Sequence, residues 1–243
     1  MFRTLTAAAA LTCAMALPAL AQDASDDAAF GERVRAYLMA NPEVIMEAVN
    51  QLQQREEAAA AQADEQMVAA QAEALTDDGF SWVGGNPDGD ITVVEFMDYR
   101  CGYCKKAFPE VESLLSADGN IRFIVKEFPI LGEASVLGSQ FAIATQIVAG
   151  EDAYKAVHDT LMSYNGEISR DSLTRLAGTL GLDGAAIMAK LDDPEVARRI
   201  TANRALGDAL NISGTPTFVV QNQMVRGYVP ADQLQQLVDH LRG

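Results

Sequence analysis

Three cysteines, two histidines and one tryptophan are all that this 243-residue chain contains of those types. So few cysteines exclude a disulfide-stapled scaffold, which would carry many of them at longer spacings. A zinc site is short of ligands, because there is no second cysteine pair and both histidines, His158 and His240, lie far along the chain. Basic residues are scarce as well, 18 against 34 acidic ones, for a formal charge of −16. Such an acidic chain repels nucleic acid and anionic membrane surfaces, which argues against either as a partner. After residue 21, no apolar run approaches the roughly 20 residues of a spanning helix, so no membrane insertion is expected once the leader is gone.

That leader is residues 1–21. Arg3 supplies a positive start, Thr4 to Leu17 is apolar apart from threonines, and Ala19-Leu20-Ala21 makes a small-x-small cleavage site before Gln22. This is the pattern of a cleaved signal peptide. Cys13 departs with it, leaving Cys101 and Cys104 in a secreted chain.

Residues 22–78 read as an N-terminal helical arm, rich in Ala, Gln and Glu. Phe30, Val34, Tyr37 and Leu38 suggest a short amphipathic helix. Asn41-Pro42-Glu43 reads as an N-cap, a proline at the first helical position and an acid in the first turn. From Pro42 to about Leu75 neither Gly nor Pro intervenes, which predicts one helix of roughly 50 Å at 1.5 Å per residue. Ile45, Val49 and Leu52 begin a seam continued by Ala59, Ala63 and Ala70 and interrupted by Glu56 and Gln66. The arm is therefore an expected oligomerisation segment.

A domain is expected over 79–243. Gly84 to Gly89 reads as turn chemistry. Ile91–Phe96 reads as a strand buried on both faces, Phe108, Val111, Leu114 and Leu115 as the apolar side of a helix, and Ile121–Glu127 as a second strand. That order predicts a parallel βαβ unit in an α/β fold. About 134–210 is helical, with Asp193-Pro194 as a helix start and Leu173, Leu176, Ala177 and Leu180 facing inward. Thr217–Val220 and Met224–Arg226 restore strand character around a polar turn, and a helix from about Ala231 to Leu241 closes the chain.

Cys101-Gly102-Tyr103-Cys104 opens the first helix of that unit. Cysteines at i and i+3 share a face, and the first sits where free backbone N–H groups favour a thiolate. Arg100, Lys105 and Lys106 place cations beside the pair, against Asp98 alone. Lysines in a first helical turn oppose the dipole, so an anion nearby explains them better than helix stability does. Gly102 leaves Cys101 uncovered and Tyr103 offers a flat contact. Cys101 is accordingly the expected attacking thiolate and Cys104 the resolving thiol. No cofactor is implied beyond the redox-active Cys101–Cys104 disulfide.

Val93 to Cys104, followed after the helical stretch by Ser213-Gly214-Thr215-Pro216-Thr217-Phe218, resembles the DsbA-like branch of the thioredoxin superfamily over roughly residues 80–243. The resemblance implies a thioredoxin-like fold interrupted by a helical insertion, a periplasmic location, and thiol–disulfide exchange with secreted proteins. It implies a cis peptide bond at Thr215-Pro216, with that loop receiving substrate. It also assigns Glu95 as a buried acid beneath the cysteines, which would take the proton of Cys104, and Lys126 on the next strand is a candidate partner for it. Gly-Tyr between the cysteines and Thr before the proline are instead similar to the disulfide isomerase DsbC, and Thr-Pro to ScsC-type oligomers. Three readings follow: an oxidase reoxidised by a membrane partner, an oligomeric isomerase kept reduced by one, or a non-enzymatic periplasmic protein binding copper or unfolded chains.

Overall fold

A computed structural model describes residues 21–243; apart from Ala21, the expected leader lies outside the described residues. The chain divides into two compact units, one ending at Glu57 and one running Ala58–Gly243.

In the first unit, helix α1 (Ala21–Ala40) is followed by the start of α2 (Glu43–Ala70). Asn41 does not cap α2 with its side chain. Its backbone N–H and its Nδ2 both donate to the Tyr37 carbonyl at 2.9 Å, so it closes α1 instead. The orphan carbonyls at the end of α1 compete for the same amide that α2 could have used. Phe30, Val34, Tyr37, Ile45, Met46, Val49 and Leu52 are all exposed.

The single helix expected from Pro42 to Leu75 is broken. The backbone leaves helical geometry at Gln71 (φ −112°, ψ 15°), and a short helix α3 (Ala72–Thr76) follows. Val68, before the bend, and Leu75, after it, both bury against the cluster of Val94, Phe96, Ile124 and Val219. Residues 58–78 therefore pack as part of the second unit.

Its centre is a five-stranded sheet: β1 (Trp82–Gly85), β2 (Ile91–Met97), β3 (Ile121–Glu127), β4 (Thr217–Val220) and β5 (Gln223–Arg226), in the order β1-β3-β2-β4-β5. β2 and β3 are parallel and joined by α4 (Gly102–Ala117), while every other pairing is antiparallel. β1 falls where turn chemistry was expected. Gly84 and Gly85 sit inside it because the Trp82 ring folds over Gly84, occupying the place a Cβ would take, and Gly85 lies against the Ile121 carbonyl.

Side chains alternate between the two faces of the sheet. Val93, Met97, Phe123, Val125 and Phe218 face one core together with α4 and the inserted helices. Val94, Phe96, Ile124 and Val219 face a smaller core under Val68 and Leu75. The insertion comprises α5 (Glu133–Ala149), α6 (Glu151–Ser163), α7 (Arg170–Thr179), α8 (Gly184–Lys190) and α9 (Pro194–Ala209), and α10 (Ala231–Arg242) closes the fold. The Asp193 side chain caps α9 through Glu195 N–H at 2.8 Å, as its sequence predicts. Among the described residues no helix is long and apolar enough to cross a membrane.

Candidate functional site

The cysteines sit where β2 hands over to α4. Asp98 to Cys101 form a tight turn closed by Cys101 N–H to the Asp98 carbonyl at 3.0 Å. The Asp98 carboxylate is buried and accepts from Arg100 N–H at 2.7 Å, and from Ile130 and Leu131 N–H at 2.9 and 3.1 Å. It thus staples the turn to the loop after β3. Cys101 is the N-cap of α4, its sulfur accepting from Cys104 N–H at 3.4 Å.

From 114 residues away, the loop ahead of β4 reaches the same point. β4 pairs antiparallel with β2, Phe96 opposite Thr217, so the residues before Thr217 arrive beside the end of β2. The Thr215–Pro216 bond is cis. As a thiol, Cys101 donates to the Thr215 carbonyl at 3.1 Å.

The two sulfurs differ sharply. Hydrogen bonds to the thiolate, first from the Cys104 thiol and then from the Thr215 side chain and the Cys104 and Tyr103 N–H groups, outweigh burial and bring Cys101 down to about 5. Cys104 is fully buried, and burial, its bond to Cys101 and the nearby charge of Glu95 hold its thiol far above the usual range. Near neutral pH the pair therefore holds one anionic sulfur and one protonated one. Only Cys101 retains any exposure, at 7%.

Glu95 is buried on the same face of the sheet as the cysteines. Burial, with a smaller contribution from the charge of Cys101, pushes it up to about 8, and its Oε1 has no hydrogen-bond partner. Lys126 is not its partner. In the β2–β3 register Glu95 lies opposite Val125, and Lys126 lies opposite Phe96 on the other face. There Lys126 donates to Asp78 Oδ2 at 2.6 Å and the Ala74 carbonyl at 2.8 Å.

The neighbouring cations are not the main influence on Cys101. Arg100 is exposed, Lys105 donates to the Tyr164 carbonyl, and Lys106 stacks over the Tyr228 ring at 3.9 Å. None of them is among the largest causes that lower Cys101, which are hydrogen bonds. Gly102 and Tyr103 form the exposed first turn of α4, with Tyr103 65% exposed and open space beside Gly102. Ile130 and Leu131 are exposed too, in the loop that Asp98 holds. Asp98 went unread in the sequence as more than a lone opposing charge, and an acid inside an apolar run next to a CxxC motif was the signal available. Among the described residues no group of His, Cys, Asp and Glu is clustered to hold a metal ion.

The family model for the DSBA-like thioredoxin domain matches residues 92–239, more than half of the chain. The chain belongs to that family. A second model, the N-terminal domain of the copper resistance protein ScsC, matches residues 26–59. Among solved structures, a thioredoxin-like oxidoreductase from Silicibacter pomeroyi DSS-3 is 40% identical, with a TM-score of 0.66, covering 70% of this chain and 96% of that one. BcfH of Salmonella enterica Typhimurium is 28% identical with a TM-score of 0.74, covering 92% and 98% of the two chains. An Na(+)/H(+) antiporter NhaA 3 of Salinispora tropica is 32% identical over 145 residues, 60% of this chain. The chain spans only about a fifth (22%) of that relative.

Proposed function

We propose that this protein is a periplasmic thiol–disulfide oxidoreductase acting on secreted proteins through Cys101 and Cys104. The observation that carries the reading is a cysteine pair at the start of α4, beside the Thr215–Pro216 loop: Cys101 Sγ caps the helix and keeps some exposure while Cys104 is fully buried, with Cys101 lowered and Cys104 raised to match. The reduced protein attacks a client disulfide with the Cys101 thiolate, forming the mixed disulfide and releasing one client thiolate. Cys104 then gives its proton to Glu95 in its ionised form, the minor one near neutral pH for an acid raised to about 8, and attacks Cys101 Sγ. That step forms the Cys101–Cys104 disulfide and frees the second client thiolate. Run backwards, the same steps donate the disulfide. Gly102 leaves the nucleophile open, while Tyr103, Thr215 and Pro216 line the place where a client peptide lies.

The test is a trapping experiment. With Cys104→Ser, attack on a client disulfide stops at a mixed disulfide on Cys101, which non-reducing electrophoresis and mass spectrometry detect. Failure to trap any adduct, with Cys101 titrating like free cysteine, overturns the reading.

The first unit supplies assembly. Its exposed stripe of Phe30, Val34, Tyr37, Ile45, Val49 and Leu52 is apolar surface that a lone helix cannot cover, and residues 26–59 match the ScsC N-terminal model. Copies of the chain pair through it, setting several cysteine pairs around one client. That arrangement favours isomerisation, with a membrane redox partner keeping the sites reduced. Refolding of a scrambled-disulfide substrate, compared with oxidation of a reduced one, distinguishes isomerase from oxidase.

A further inference from the structure

A buried carboxylate lies beneath the active-site turn with no cation to balance it. Glu127, the last residue of β3, is 3% exposed. Its Oε1 accepts from two phenols, Tyr99 Oη at 2.6 Å and Tyr154 Oη at 2.7 Å, and its Oε2 has no partner. Tyr99 belongs to the Cys101 turn, and Tyr154 to α6 in the helical insertion. His158, also on α6, places Nδ1 3.2 Å from Tyr99 Oη. Burial first, then Lys155, keeps that imidazole neutral, lowered to about 3.

The remaining neighbours offer Glu127 no counter-charge. Asp98 is itself acidic. Ser139 of α5 faces the carboxylate without a hydrogen bond of its own. From α9, Asn203 donates to the Glu127 backbone carbonyl at 3.1 Å. Arg199 shares a small cavity with Glu127 but is bonded to Glu195 and Gln146 at 2.8 and 2.9 Å. Burial pushes Glu127 up to about 7 against its hydroxyl donors.

A carboxylate buried without a cation costs folding energy. In return it makes two short charge-assisted O–H···O bonds, about twice as strong as neutral ones. Those bonds fix Tyr99. Of the two central residues in the Asp98–Cys101 turn, Arg100 points into solvent, so Tyr99 is the one whose side chain enters the core. Its ring packs against Gly138 of α5, where an added Cβ would come within 3.2 Å. The turn in turn sets the backbone of Cys101, and hence the 3.4 Å hydrogen bond that its sulfur accepts from Cys104 N–H.

We propose that Tyr99 is a positioning residue for the redox reaction, anchored on Glu127, and that this bond holds the Cys101 turn in the geometry that stabilises its thiolate. Tyr154 shares the anchor but is not part of the turn, so it braces the insertion and leaves the cysteine alone. The inference rests on Cys101 being the reactive thiolate.

The experiment titrates the thiolate absorbance of the full mature chain, reduced, as wild type, Tyr99→Phe and Tyr154→Phe. Each variant keeps its ring and loses one hydroxyl to the same oxygen; Tyr99→Phe also loses the 3.2 Å contact with His158 Nδ1, so thermal unfolding of both variants is measured beside the titration. Tyr99→Phe should raise the Cys101 midpoint by about one pH unit, roughly a tenfold loss in ionisation constant, and slow mixed-disulfide formation below neutral pH. Tyr154→Phe should titrate with the wild type. A Tyr99→Phe curve that superimposes on wild type overturns the proposal, as do equal shifts in the two variants, which would mean general loosening. A wild type that titrates like free cysteine instead sinks the thiolate reading itself.

Discussion

Glu95 and Lys126 are neighbours in the sheet but point to opposite faces. Glu95 lies opposite Val125 across the parallel pair and shares the cysteines' core, whereas Lys126 reaches Asp78 and the Ala74 carbonyl on the far side. The two buried charges therefore serve different ends. Glu95 is left without a cation beside the reacting sulfurs, and Lys126 ties the segment after α3 to the back of the sheet.

Breaking the Lys126–Asp78 pair should damage stability and spare the chemistry. Lys126 has no exposed side-chain surface, so Asp78→Ala leaves an uncompensated buried ammonium, at a cost of about 3–5 kcal/mol. Denaturant unfolding should show that loss, while the Cys101 titration stays at its wild-type position. A shifted thiol midpoint would mean that the two faces are coupled.

The two raised carboxylates make stability fall as pH rises. Glu95 and Glu127 stand at about 8 and about 7 in the fold, against an ordinary 4.5. The folded state thus binds their protons more tightly than the unfolded chain does. Their contribution is complete below about pH 4.5 and is lost as pH climbs through 7 and 8. Denaturation of the oxidised protein, in which Cys101 does not titrate and Glu95 is raised by burial alone, should show a decline on the order of a few kcal/mol upward from pH 5. Glu95→Gln should flatten the upper part of that decline and slow resolution of the mixed disulfide. A profile that is flat in the wild type would show both groups ordinary.

Cys101 acts with the opposite sign, and only in the reduced protein. Its midpoint is lowered from 9.0 to about 5, so the reduced form gains stability over the oxidised one as pH rises from 5 toward 9. Redox equilibration against glutathione at several pH values should show the reduced form increasingly favoured across that window. At pH 6 its alkylation should run about tenfold faster than free cysteine, once the lower nucleophilicity of an acidic thiol is counted. Cys104 should remain unlabelled until the protein unfolds, and earlier labelling of Cys104 would reverse their roles.

Truncation should separate assembly from folding at a defined point. Removing residues 22–57 from a chain made without the expected leader takes away the exposed apolar residues of the first unit and leaves Val68 and Leu75 in place. Light scattering should then fall to a monomer mass with the cysteine titration preserved. Removing 22–75 also strips both apolar anchors from the sheet and should cost stability by about 2–5 kcal/mol for each large side chain lost. A monomer from the intact mature chain overturns the assembly reading.

Much of this was legible in local pattern. The strand at 91–97, the helix opened by Cys101, the parallel strand at 121–127 and the capped start at Asp193 all follow from periodicity and turn chemistry, which act within a few residues. β1 was hidden because its two glycines carry no strand signal; they are there for the Trp82 ring and the Ile121 carbonyl, both contacts made by folding. The break at Gln71 was hidden because no Gly or Pro marks it.

Sequence alone pointed to the cysteine that caps a helix and its partner one turn on, and to the proline that stands ahead of the returning strand, because each is a matter of spacing along the chain. Strand register and the packing of remote segments decided the rest. They separated Glu95 from Lys126, made hydrogen bonds the largest influence lowering Cys101, and set Glu127 beneath Tyr99. Burial and hydrogen-bond geometry fix how readily an acid ionises, and both exist only once distant parts of the chain have met.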